Sequence, residues 1–421
     1  MTNPYFENIE ISNYRLCKSC QFKPDQRLNG LIGPNGSGKT TILRGIHLLK
    51  QLVSEERYFS QRGFESEEVE PTRIKVSINI DGKKIIHTAN LRINTDENNN
   101  DEIVDSKQTW YMKDVTGNRR YYKMPVAMAN EMAMYYDYIH TDRRRVFLPR
   151  HFRTTIEFDV LEQANVMGTI GKVSEFYKQI TYYSASQFTN PSNCPVSFEI
   201  DEKNKPISRL MLTRGHGKWL YDMFVEYKES TAEFTQFEDI VGLNGIGLVD
   251  RFEFHETEMS SMQARVRLGG ELQTIAKKTK LIIPKFHIGN NVMSPTQLSE
   301  GTFKTLAMVF YLMTGKSKVV LLEEPEVCIH HGLLSSLIEL IKQYSDEKQV
   351  FISTHSDYIL DELDHSNVFV TWNDKSEGIS LRPLTKWMPK EDIRALKTFL
   401  ASEGNLGEYW RSGGFDDTRK D

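Results

Sequence analysis

The sequence predicts an α/β nucleotide-binding fold: a mostly parallel sheet flanked by helices, an antiparallel β subdomain, and an inserted α+β region. Three observations carry that expectation. A GxxxxGK[ST] loop, Gly33 to Thr40, follows a short apolar strand and opens an amphipathic helix. A second apolar run, Val319-Val320-Leu321-Leu322, ends in two carboxylates, Glu323 and Glu324. The block from 280 to 370 alternates strand and helix, as parallel α/β units do.

In chain order, residues 5–14 and 20–23 read as extended, 28–32 as a short strand, and 39–53 as a helix. In that helix Ile42, Ile46 and Leu49 recur at helical spacing. Residues 54–71 are acidic and read as a surface loop. Residues 74–80, 84–91, 110–112 and 121–124 read as antiparallel hairpins, turning at Asp81-Gly82 and at 115–118, with a polar loop at 96–101. The Met- and Tyr-rich stretch 126–139 reads as a core helix. Residues 187–206 are a connector, 210–227 and 232–241 read as helices, and 250–255 and 263–268 as strands. The resulting segments are 1–53, a first part of the nucleotide-binding head; 54–280, hairpins and an inserted helical and α+β region; 281–370, the second part of the head; and 371–421, a C-terminal helix and tail.

Composition narrows the function classes. A length of 421 residues predicts two or three domains, and 39% hydrophobic residues suffice for a sizeable core. The longest clean apolar stretch is Leu306 to Met313, far short of the ~18 residues of a spanning helix. The first residues carry no basic start and no apolar run, so no secretion signal is read and a cytoplasmic location is expected. With 53 basic against 57 acidic residues, net charge −4, indiscriminate nucleic-acid coating is not expected. Four cysteines do not make a disulfide framework. Cys17 and Cys20 form a CxxC that lacks two further ligands in zinc spacing; only Cys328 has histidines, His330 and His331, beside it. Cys17 and Cys20 are read as hairpin residues.

The chemistry starts at Gly33-Pro34-Asn35-Gly36-Ser37-Gly38-Lys39-Thr40, followed by Thr41. The glycines let backbone N–H groups turn inward around a phosphate, and the helix N-terminus adds its positive end. Lys39 is expected to reach the β- and γ-phosphates of ATP, and the Thr40 hydroxyl to ligate Mg²⁺. Glu323 is expected to hold the metal, and Glu324 to take a proton from the attacking water. An acidic cap before Pro325 explains one carboxylate but not a pair. Leu298-Ser299-Glu300-Gly301-Thr302 is, by itself, an N-cap with an acid in the first turn. Its position gives it meaning, 24 residues before Glu323 (323 − 299), and His355 closes a further strand 31 after Glu324 (355 − 324).

Order and spacing of this set resemble the ABC-type ATPase head: GPNGSGKT as Walker A, LSEGT as signature, VVLLEEPE as Walker B, and STHS with the switch histidine. EEPE followed by Ile329-His330, and the bare LSEGT, resemble the RecF/OLD-like branch rather than transporter subunits. The resemblance implies that His355 contacts the γ-phosphate. It also implies that Ser299 and Gly301 of one subunit contact the γ-phosphate held by another, in a head-to-head homodimer or larger assembly. It makes Gln187, in ITYYSASQF, the Q-loop glutamine and a further metal contact. Two departures stand out. Glu323 replaces the usual Asp, and His331-Gly332 replaces the usual proline after the D-loop histidine.

Between Lys39 and Ser299 lie 260 positions (299 − 39), filled by hairpins and short helices where SMC-like ATPases carry coiled coils. The 66 residues after His355 (421 − 355) show no strand-Glu then DxD pattern, where OLD nucleases carry a Toprim domain. Such a head resembles the ATPase subunits of two-gene bacterial antiphage systems, most closely the AriA type of PARIS, with the Septu type as nearest rival. This resemblance implies a sensor that restrains a separate Toprim-like nuclease effector until a phage protein, such as a DNA mimic, is recognised. A RecF/SMC-like DNA-repair ATPase is the alternative, and direct DNA binding stays open. The segment 142–153 carries five arginines against one aspartate, either a receptor for an acidic trigger or a solvated face. Ile393, Leu396, Phe399, Leu400, Tyr409, Trp410 and Phe415 offer a docking surface for the effector, or pack on the chain itself.

Overall fold

A computed structural model describes residues 3–53, 70–96, 101–113, 119–124, 160–208, 215–266, 272–374, 376, 378–402 and 404–411. The stretch 126–139, the arginine-rich segment 142–153, the turn at 115–118 and Phe415 lie outside the described residues. By its contacts the chain divides into two units. The first comprises Met1–Ser184, Lys316–Pro325 and Ser345–Asp421; the second comprises Ala185–Gly315 and Glu326–Tyr344.

The first unit opens with β1 (Tyr5–Tyr14), β2 (Cys17–Phe22) and β3 (Leu28–Ile32), then helix α1 (Lys39–Gln51). Strands β4 (Thr72–Ile80), β5 (Lys83–Thr95), β6 (Asp101–Lys113) and β7 (Arg119–Met124) follow, with α2 (Val160–Lys178) and β8 (Ile180–Tyr183). The second unit holds β9 (Phe198–Ile200), α3 (His216–Glu229), α4 (Ala232–Val241), β10 (Arg251–Val266), β11 (Leu272–Ile288), β12 (Asn291–Met293) and α5 (Glu300–Thr314). The chain returns to the first unit for β13 (Val319–Glu323). After α6 (His331–Ser345) come β14 (Gln349–Ser353), α7 (Asp357–Asp361), β15 (Val368–Asp374), β16 (Gly378–Pro383), α8 (Leu384–Trp387), α9 (Lys390–Ala401) and α10 (Leu406–Arg411).

Among the described residues the first unit holds two six-stranded sheets. The antiparallel one runs β2-β1-β4-β5-β6-β7, so the hairpins after α1 continue the N-terminal strands rather than begin a new domain. Its strands alternate: Ile74, Val76, Ile78 and Ile80 of β4 are buried while Arg73 is exposed, as expected where one face meets a core. The second sheet runs β16-β15-β3-β14-β13-β8 and is parallel except for β16. Every residue of β3 and β14 is buried, the mark of parallel strands covered on both faces. Helix α1 contributes Ile42, Leu43, Ile46 and Leu49 to one core cluster with Ile9 and Ile11 of β1, Val76 of β4, Leu321 of β13 and Phe351 of β14. Register aligns Glu323 of β13 with Ser353 of β14, and Ser353 with Leu31 of β3. Three strands therefore end at the same edge, where doubly wound sheets gather ligand-binding loops.

The second unit packs around rings. Trp219 of α3 meets Phe303 of α5 at 4.7 Å between centroids, and Phe252 of β10 meets Phe286 of β11 at 5.0 Å. Helix α4 is capped by Thr231, whose hydroxyl accepts from the Phe234 N–H. Strands β10 and β11 form one antiparallel ribbon paired from Arg251↔His287 to Val266↔Leu272. The ribbon differs from the separate strands 250–255 and 263–268 read from sequence. Residues 255–260 are all exposed, so the alternation that marks a half-buried strand is missing there. The strand that opens the block from 280 is likewise antiparallel, and within that block the parallel pattern is carried by β13, β14 and β15.

In α9 only Leu396 is buried, while Phe399 meets Tyr409 of α10 at 6.1 Å. Among the described residues no helix is long and apolar enough to cross a membrane.

Candidate functional site

The loop after β3 cannot be built from ordinary residues. Gly33, Gly36 and Gly38 have φ of +146°, +74° and +102°, conformations that a Cβ disfavours. A Cβ on Gly33 would overlap the Thr371 carbonyl oxygen of β15, and one on Gly38 would overlap the Ile379 side chain of β16. Ser37 Oγ lies 2.6 Å from Thr371 Oγ1, which donates to the Ile32 carbonyl at 2.9 Å. The loop is thus roofed by the last strands of the sheet. No side chain caps α1, and its first turn holds no acid, which leaves N-terminal N–H groups for an anion.

Lys39 is buried, and its ammonium donates to the Gly33 and Pro34 carbonyls at 3.0 and 3.2 Å. It also lies 2.6 Å from His355 Nε2. An ammonium only donates, so Nε2 accepts and the ring proton sits on Nδ1. Burial and the Lys39 charge both push the His355 pKa down, against a smaller upward pull from Glu324. The same Nε2 is 3.4 Å from Glu324 Oε1.

Glu323 and Glu324 leave β13 in different directions. Glu324 sits at φ +43° and its N–H donates to the Ser353 carbonyl at 2.9 Å, which turns its side chain toward the end of β14. A left-handed non-glycine residue here is a strained position held by its surroundings. Glu323 accepts from the Thr40 hydroxyl through Oε1 and from the Tyr182 hydroxyl of β8 through Oε2. Behind Tyr182 stands Arg44 of α1. Burial would lower the Arg44 pKa, but its hydrogen bond to Tyr182 and the nearby Glu323 charge outweigh that and raise it.

Residues 33–40, Glu323, Glu324 and His355 therefore converge in one unit; Thr41 follows in the first turn of α1, half-exposed. The Thr40 hydroxyl and the Glu323 carboxylate are hard oxygen donors side by side, a set that suits Mg²⁺ completed by phosphate oxygens and water. Tyr182 and Arg44 were not singled out in the sequence.

Ser299, Gly301 and Gln187 belong to the second unit. Ser299 is exposed and caps α5, its hydroxyl accepting from the Thr302 N–H at 3.2 Å. A Cβ on Gly301 would strike the Cys328 carbonyl. The buried Lys304 donates to the Ala185 and Val327 carbonyls at 3.1 and 2.8 Å. The signature turn is thereby tied to the segment that follows Walker B. Gln187 lies in the turn 185–188. Cys17 and Cys20 are buried, their sulfurs 3.0 Å apart, and Cys20 Sγ donates to the Ile379 carbonyl. Among the described residues, no three His, Cys, Asp or Glu gather as a metal cluster.

A family model described as AAA ATPase domain (AAA_15) matches residues 5–360. The DNA replication and repair protein RecF of Chlorobium luteolum is 34% identical over 93 residues, 19% of this chain and 25% of that protein. The chain thus spans about a quarter of that relative's length. Among solved structures, an SmcHead bound to the C-winged helix domain of ScpA is similar at TM-score 0.46 and 14% identity, covering 91% of this chain and 100% of that one. An Smc head domain from Pyrococcus furiosus with an extended coiled coil, bound to the C-terminal domain of ScpA, matches at TM-score 0.44 and 12% identity, covering 94% and 99%.

Proposed function

The chain belongs to the AAA ATPase domain family, and from that premise we propose that it hydrolyses ATP to ADP and phosphate at the site around Lys39, Glu323, Glu324 and His355. The observation that supports the reading is the meeting of the phosphate loop, the Thr40–Glu323 pair, Glu324 and His355 within 3.4 Å of one another in one unit. The loop N–H groups and the Lys39 ammonium hold the phosphates. Thr40 and Glu323 would hold Mg²⁺, which, when bound, offsets charge on the phosphate oxygens. Glu324 accepts the proton of the attacking water, and His355, neutral, donates its ring N–H to a γ-phosphate oxygen. Ser299 and Gly301, with Ser299 exposed at a helix start, are assigned to the γ-phosphate of a second copy in a head-to-head dimer. Gln187 is assigned as the Q-loop contact.

The cellular reading, a sensor and scaffold that restrains a nuclease effector until a phage protein arrives, rests on the resemblance to two-gene antiphage ATPases. The identity to RecF favours a second reading, a DNA-repair ATPase. One experiment separates them. ATP turnover is measured with and without duplex DNA at two salt concentrations, beside a pull-down and native mass of the assembly. DNA-stimulated, salt-sensitive turnover supports repair; a co-purifying nuclease supports defence. Turnover unaffected by Glu324→Gln would sink the hydrolysis assignment itself.

A further inference from the structure

We propose that Tyr182 is a positioning residue that fixes the Glu323 carboxylate for the nucleotide's metal, with Arg44 behind it. The inference rests on the Mg²⁺–ATP reading above. Tyr182 pairs with Leu321 in the parallel register of β8 and β13, so its side chain stands next to the strand that ends in Glu323. Its hydroxyl lies 2.5 Å from Glu323 Oε2, while Thr40 engages Oε1. Both carboxylate oxygens are thus held. A carboxylate without its proton only accepts, so the phenol donates to Glu323. His47 of α1 lies along the Tyr182 ring, 5.4 Å between centroids, and packs the ring in place.

A glutamate at this position calls for such a clamp. It has one more rotatable bond than the aspartate usual in ABC heads, so held by Thr40 alone its second oxygen would be free to swing. Partners behind a ligating side chain orient it before the metal arrives and tune affinity without touching the metal. The competing explanation is that Tyr182 only fills the sheet edge; its hydroxyl would then be immaterial to the metal.

Tyr182→Phe keeps the ring and removes the hydroxyl. With Glu324→Gln as parent to stop turnover, Mn²⁺ binding in the presence of ATP is followed by electron paramagnetic resonance. Binding of a fluorescent ATP analogue is followed in parallel in excess chelator. The expected result is an Mn²⁺ affinity about tenfold weaker with metal-free nucleotide affinity unchanged. Glu323→Asp draws the carboxylate back by about 1.5 Å and out of reach of Tyr182. In that background Tyr182→Phe should add less than about twofold. Three outcomes overturn the proposal: an Mn²⁺ affinity unmoved by Tyr182→Phe, an equal loss of metal-free nucleotide binding, or losses that multiply in the double variant. A parent that binds no nucleotide at all would instead overturn the ATP reading on which this one rests.

Discussion

Lys39 Nζ and His355 Nε2 lie 2.6 Å apart although 316 positions separate them in the chain. The contact requires a neutral imidazole, and burial together with the Lys39 charge keeps it so. Phosphates that draw the ammonium away also withdraw its field from the ring, whose Nε2 already lies 3.4 Å from Glu324. Under the proposed ATP reading, His355 would respond to whether the phosphate seat is filled.

His355→Gln should leave ATP binding within a few-fold of wild type and cut turnover by about 100-fold. Because the His355 pKa is lowered, its neutral form predominates above 6.5 and is lost only at lower pH. The wild-type rate should carry an acid limb with its midpoint below 6.5, and the variant should lack it. A histidine-dependent midpoint above 6.5 in the pH–rate profile would count against the pairing.

The three glycines of the loop should not be equivalent. Gly33→Ala meets a backbone carbonyl, that of Thr371, which cannot yield; Gly36→Ala meets nothing within 4 Å and suffers only its φ of +74°. Gly36→Ala should cost about 1 kcal/mol of stability and retain measurable nucleotide binding. Gly33→Ala should abolish binding. Thermal melts with and without Mg²⁺–ATP test the order, and equal losses would refute it.

His87 should make the first unit acid-sensitive. Burial pushes its pKa down to about 3, with Gln108 opposing slightly. In an unfolded chain the value is about 6.5. Between these limits the unfolded chain binds a proton that the native one refuses, so stability is complete above 6.5 and falls as pH drops toward 3. His87→Leu should lose about 1–3 kcal/mol at pH 7.5, since Tyr177 and Gln108 lose their partner. It should lose less further stability than wild type on going to pH 5. Urea unfolding at both pH values measures the difference, and parallel losses would exclude His87 as the cause.

A shared site predicts complementation. Lys39→Ala chains mixed with Ser299→Arg chains should recover turnover, because one site of each mixed dimer keeps both an intact loop and an intact signature. Mixed dimers that form yet stay inactive would remove Ser299 from the reaction.

What could be read from the sequence was what is local. The phosphate loop is eight consecutive residues, and Glu323 and Glu324 advertise themselves by closing an apolar strand. Tyr182 could not be found this way. It is one tyrosine among 18, and 141 positions separate it from the carboxylate it touches. Only the parallel pairing of β8 with β13 brings the two together. The β10–β11 ribbon escaped for the opposite reason: solvent on its exposed stretch erases the periodicity by which strands are recognised. The hairpins were legible as hairpins, yet their membership of the sheet begun by β1 depends on edge pairing that no local pattern encodes.

The central place of β3 bears on how the protein is made. Its neighbours are β14 and β15, and the Asn29 side chain bonds the Val350 carbonyl 321 positions later. At typical rates of synthesis those partners follow β3 out of the ribosome by roughly 15–60 s. During that interval the strand stands with both edges open to foreign chains. The loop that follows β3 is translated well before the strands that roof it, so a nascent chain cut short before β14 carries the motif without the seat.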